Sequence, residues 1–180
     1  MKSAVLILLF ITLVFSDGRN NSISSNVQPE INLFSNWSTP CQKSQNKNAF
    51  NTFMSRHILL LDFDTTQLSY WGYYLAVMGL CGRTLNQSFL NKRDTRSIMR
   101  VCNGEGIRYT NNMCISREKF LVFIVKSESK SGECKFQLQF EIAHVIIACE
   151  AIERVCLPVH YEGQADTAPP EHGEICRSAK

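Results

Sequence analysis

The order of apolar and polar positions divides the chain into a helical part followed by a stranded part. Phe50, Phe53, His57 and Leu60 or Leu61 recur at helical spacing, with Asn51 and Thr52 near the start. The stretch SYWGYYLAVMGL predicts a second helix, and RDTRSIMRVC a short third one opened by Asp94 or Thr95. The pattern then changes to runs rich in β-branched and aromatic residues. KFLVFIV, CKFQLQF, HVIIACE and LPVHY read as strands, and KSESKSGE between the first two has the composition of a hairpin connection. Helices first and antiparallel strands afterwards is an α+β order.

The flanks follow other rules. MKSAVLILLFITLVFS is a lysine followed by an apolar run, with Val14 and Ser16 as cleavage positions, which is the form of a secretory signal. The run is too short to span a bilayer, and no later stretch is long and apolar enough. Residues 1–16 therefore read as a signal, 17–44 as a flexible extension rich in Ser and Asn, 45–163 as the folded domain, and 164–180 as a loose tail pinned by Cys176. The expectation is a secreted, extracellular protein with no membrane span. Acceptor triplets beginning at Asn20, Asn36 and Asn86 agree with a glycoprotein.

Eight cysteines follow the signal: Cys41, Cys81, Cys102, Cys114, Cys134, Cys149, Cys156 and Cys176. An even number in an exported chain argues for disulfides. Zinc ligands usually come in closer pairs than the nearest two here, Cys149 and Cys156. Spacing leaves about a hundred pairings open. A net charge of +3 permits an anionic partner without demanding one. The basic run Lys92, Arg93, Arg96 and Arg100, opposed only by Asp94, reads first as a solvated helix face.

Two of the histidines carry candidate chemistry. His57 lies one turn after Phe53 on the first predicted helix, and His160 lies in the last predicted strand. A helix packed across a sheet can bring two such imidazoles to opposite sides of one cleft. There they could serve as base and acid in phosphodiester cleavage, because histidine titrates near neutrality.

Four segments in order, FMSRHIL, CGRTLNQSF, HVIIACE and LPVHYEG, give the chain a resemblance to the pancreatic-type ribonuclease (ribonuclease A) family over roughly residues 45–163. The resemblance implies a small, disulfide-bonded, bent antiparallel sheet with three helices. It implies a monomeric endoribonuclease that cleaves single-stranded RNA by metal-independent transphosphorylation, with pyrimidine preference and no cofactor. It makes His57 the general base, His160 the general acid, Ser88 and Tyr161 the base pocket, and Glu162 the carboxylate that orients His160. Cys81 with Cys134, and Cys102 with Cys149, match two family bridges. The other four cysteines are expected as Cys156–Cys176 and Cys41–Cys114. His144 and His172 receive no catalytic role.

The chain departs from the family at one catalytic position. Directly after the signature cysteine the family has a lysine whose ammonium stabilises the transition-state charge, and here that place is Gly82. Counting back from Phe89 gives Thr84, which has no charge either. Loss of such a donor typically costs roughly 2.7–4 kcal/mol. Arg83, the nearest cation, and Arg56, where the family has a phosphate-contacting glutamine, are the candidates to bind phosphate in its stead. The expectation is a weak ribonuclease. The alternative is a catalytically inactive ribonuclease-like secreted protein that binds a receptor, a nucleic acid or another polyanion. A glycan on Asn86 would lie close to the pocket.

Overall fold

The structure is a computed structural model and describes residues 39–177. The expected signal, most of the extension and the triplets at Asn20 and Asn36 lie outside the described residues. The elements in chain order are β1 (Gln42–Lys43), α1 (Ala49–His57), α2 (Leu68–Val77), β2 (Asn86–Leu90), α3 (Thr95–Arg100), β3 (Ile107–Arg108), β4 (Met113–Ile115), β5 (Phe120–Lys130), β6 (Glu133–Ile152) and β7 (Val155–Ala165).

β6 organises the sheet. Its first half pairs with β5 from Lys130 opposite Glu133 to Phe120 opposite Ala143, and β2 lies outside β5. Its second half carries β7, which starts opposite Ile152 and ends opposite His144. β4 and, in parallel, β1 also pair with this half, and β3 pairs with β4. The expected strands CKFQLQF and HVIIACE are thus one strand of 20 residues, because no Gly or Pro separates them. The expected hairpin connection shrinks to Ser131 and Gly132, with φ of 54° and 83°. Two residues at positive φ match the right-handed twist of the flanking strands, so the rest of KSESKSGE joins the ladder.

Two cores form on either side of the sheet. One, with α1, holds Phe53, Ile58, Leu90, Val122, Val145, Ile147 and Tyr161. The other, under α2, holds Trp71, Tyr74, Leu75, Phe89, Phe123 and Val125. Neighbours on β2 are divided between them by strand alternation, Phe89 to one and Leu90 to the other. α1 ends at His57 and does not continue to Leu60 or Leu61. Ile58 is extended, at φ −110° and ψ 131°, and bridges to Leu90, while the Leu59 N–H donates to the Leu90 carbonyl at 3.0 Å.

Cys81 is bonded to Cys134 and Cys102 to Cys149. The other four form Cys41–Cys156 and Cys114–Cys176, which corrects the expected Cys156–Cys176 and Cys41–Cys114. The cause is strand placement. β1 lies along the end of β6, where Gln42 is opposite Glu150, and Cys156 is opposite the next β6 residue, Ala151, on β7. The tail returns to β3, with Arg108 N–H donating to the Glu174 carbonyl and Cys176 N–H to the Gly106 carbonyl, which sets Cys176 beside Cys114. The last residues of the expected extension and the tail through Cys176 are therefore tied to the sheet.

Candidate functional site

The last turn of α1 and the middle of β2 are joined by two hydrogen bonds. Nδ1 of His57 lies 2.9 Å from the Ser88 carbonyl, and Nε2 of Gln87 donates to the Arg56 carbonyl at 2.9 Å. A carbonyl can only accept, so Nδ1 of His57 carries the proton and Nε2 keeps its lone pair. The ring packs between Phe53, at 5.5 Å between centroids, and Tyr161 of β7, at 5.4 Å and 20° from parallel. Burial draws the His57 pKa down to about 4, partly opposed by the Ser88 hydrogen bond, and the positive charges of Arg83, His160 and Arg56 push it the same way as burial.

On β7 the register with β6 slips twice, between Ile146 and Ile147 and between Ala148 and Cys149, so His160 and Tyr161 sit between two irregularities. Such bulges re-aim side chains beside sites. Tyr161 turns inward and is 7% exposed. The side chain of His160 is 65% exposed, and its Nε2 lies 3.6 Å from Oε2 of Glu162. The charges of His160, Arg83 and Arg56 each act on His57, and Ser88 and Tyr161 lie against its ring.

Gly82, which stands where the family has its lysine, lies against β5. Its N–H donates to Oγ of Ser127 at 3.0 Å, its φ is +65°, and a Cβ there would lie 2.7 Å from the backbone N of Ser129. No lysine fits that position without moving β5. Arg83 is partly desolvated, which together with Arg56 lowers its own pKa, and its charge acts on His57. Thr84, the other position considered, turns its hydroxyl to the Asn86 carbonyl at 2.9 Å.

The pocket residues are engaged with each other. The Tyr161 phenol donates to Oε1 of Gln164 at 2.8 Å. Burial raises its pKa, while hydrogen bonding with the Ser88 side chain opposes the rise. Sequence reasoning missed Gln87, which is 3% exposed. Its Nε2 anchors Arg56, and its Oε1 has no partner among the described residues. Turning the amide round would set oxygen against the Arg56 carbonyl, so the orientation is fixed. The available signal was alternation. Gln87 shares a face with Phe89, and a polar side chain on an inward face usually holds a specific bond.

Other candidates have structural explanations. His144 is buried, with Nδ1 on the Ser116 carbonyl at 2.9 Å, while Ser116 also accepts from the Val145 N–H. His172 is exposed. In the basic run Lys92 faces Asp62 at 3.5 Å and Arg100 faces Glu105 at 3.0 Å. Among the described residues no cluster of His, Cys, Asp and Glu could hold a metal, and no helix is long and apolar enough to cross a membrane.

No protein-family model and no curated protein matches the chain. Solved structures do. The crystal structure of green turtle egg white ribonuclease matches with a TM-score of 0.53 and 19% identity, covering 65% of this chain and 98% of that one. The X-ray structure of SS-RNase-2 des116-120 matches with a TM-score of 0.50 and 24% identity, covering 66% and 99%. The fold is ribonuclease A-like α+β: three helices and a bent antiparallel sheet, cross-linked by four disulfides.

Proposed function

We propose that the protein is a secreted endoribonuclease that cleaves single-stranded RNA by transphosphorylation. The observation that carries this reading is the bond from His57 Nδ1–H to the Ser88 carbonyl, which leaves Nε2 as a neutral base facing a group of cations. Nε2 of His57 takes the proton of a ribose 2′-hydroxyl, the 2′-oxygen attacks phosphorus, and His160 protonates the departing 5′-oxygen. The products are a 2′,3′-cyclic phosphate and a 5′-hydroxyl. No step calls on a metal or organic cofactor.

Arg83, seconded by Arg56, supplies the positive charge on the phosphorane-like transition state. A guanidinium stays protonated even when partly desolvated and donates two parallel hydrogen bonds to phosphate oxygens. Ser88 and Tyr161 line the place for the base, and a pyrimidine preference belongs to the proposal. Four disulfides fit an oxidising, extracellular setting.

A second reading, a catalytically inactive secreted protein that binds a polyanion or receptor, is favoured by one feature. Glu162 holds His160 at 3.6 Å, beyond hydrogen-bond distance, on a largely exposed ring. The test is cleavage of single-stranded RNA by the mature protein beside a His160→Ala variant, with chelator present. Cleavage that the substitution abolishes supports the enzyme. The same negligible signal from both proteins supports the binding reading.

A further inference from the structure

The triplet Asn86-Gln87-Ser88 lies inside the folded domain, on the strand that holds the base. Asn86 opens β2 opposite Lys126, and Ser88 is opposite Ile124. Asn86 and Lys126 are exposed, whereas Gln87 between Asn86 and Ser88 is buried. Strand alternation therefore sends the side chains of Asn86 and Ser88 out on one face, about 7 Å apart. That is the face on which Ser88 meets Tyr161. The Asn86 carbonyl accepts from the Thr84 hydroxyl, and the Asn86 side-chain amide has no hydrogen-bond partner among the described residues. Arg83, the cation that acts on His57, is three residues earlier on the same approach. The other flank of β2 is met by the end of α1 at Ser88 and by Ile58 at Leu90, which leaves Asn86, at the start of the strand, exposed.

We propose that Asn86 is an N-glycosylation site whose glycan screens the His57–His160 cleft, admitting small anions and holding back long ones. This rests on the site reading and on export. The amide nitrogen of Asn86 forms an N-glycosidic bond to the anomeric carbon of an oligosaccharide carried on a lipid pyrophosphate. The pyrophosphate leaves, the amide proton is lost, and nothing is oxidised or reduced. The glycan then stands beside the last cation before the pocket. A free phosphate passes it, whereas a nucleic-acid strand must occupy the same space on both sides of the scissile position.

The test uses the full chain secreted by eukaryotic cells, compared with Asn86→Gln and with protein whose glycan is trimmed to its first sugar. Peptide mass mapping reads occupancy. Binding of inorganic phosphate and of a single-stranded DNA oligonucleotide, which lacks the 2′-hydroxyl and is not cut, reads the screen. The expected result is a glycan on Asn86, equal phosphate affinity in all forms, and oligonucleotide affinity about tenfold or more higher once the glycan is gone. An unmodified Asn86, above all with Asn20 or Asn36 modified, overturns the proposal. Equal oligonucleotide affinity in all forms, strong or absent, overturns it as well. If no form cleaves RNA while the affinity difference stands, the enzymatic reading fails and this one does not.

Discussion

The main-chain N–H of Gly82 donates to Oγ of Ser127 at 3.0 Å, and this bond turns the segment after Cys81 onto β5, three residues past the partner of Ser88. A side chain at position 82 therefore meets β5 backbone and not the site. Gly82→Lys is expected to bring no gain in RNA cleavage. It should also lower stability by at least about 1–2 kcal/mol, the cost of a left-handed residue before any clash is counted. Denaturant unfolding and a rate assay on the same sample check both halves.

Arg83 is the cation to which the proposed mechanism assigns the transition-state charge. Arg83→Ala is expected to reduce kcat about a hundred- to thousandfold, the usual loss for a donor aimed at transition-state charge. Arg83→Lys should recover part of it. The same Ala variant should raise the His57 pKa above about 4, since one of the charges that holds it down is gone. Loss of activity without movement of that titration would assign Arg83 a role away from His57.

Acid stability follows from His57. Unfolded, the imidazole titrates near 6.5, and folded it titrates near 4. Between those values the unfolded chain binds a proton that the folded protein does not, so stability falls as pH drops from about 6.5 to about 4 and rises again with pH. Below about 4 this group adds no further slope. Urea midpoints at neutral pH and at the middle of that window should differ less in His57→Asn than in the parent protein.

The Cys41–Cys156 bridge closes a separation of 115 residues and holds β1 on the end of β6. Replacing both cysteines by alanine should cost roughly 2–4 kcal/mol. Fast hydrogen exchange should appear at Cys41-position and Ser44 amides, which donate to Cys149 and Ala151 carbonyls. β7, which carries both Cys156 and His160, keeps its ladder with β6 without the bridge, so RNA cleavage at low temperature should persist.

The helices and long strands were legible because their apolar runs are dense: SYWGYYLAVMGL holds α2, and HVIIACE holds the buried half of β6. Short β1, β3 and β4 have too few residues for a period to register. The pairing of Cys41 and Cys176 depends on where the chain ends return to the sheet, which no local pattern encodes. His57 and His160 were visible as motif positions, whereas Gln87 was hidden inside an imperfect signature. Gly82 misled because adjacency to Cys81 stood in for direction. Its positive φ and its bond to Ser127 turn position 82 onto β5.

The shared cleft is tested most directly by titrating inorganic phosphate into the protein while following the imidazole C–H resonances of His57 and His160. One anion held by both rings should perturb both sets of resonances along one saturation curve and move the His57 titration upward from about 4. Arg83→Ala should weaken that curve. Phosphate that perturbs only one ring, or the two with separate affinities, would contradict a single site built from both histidines.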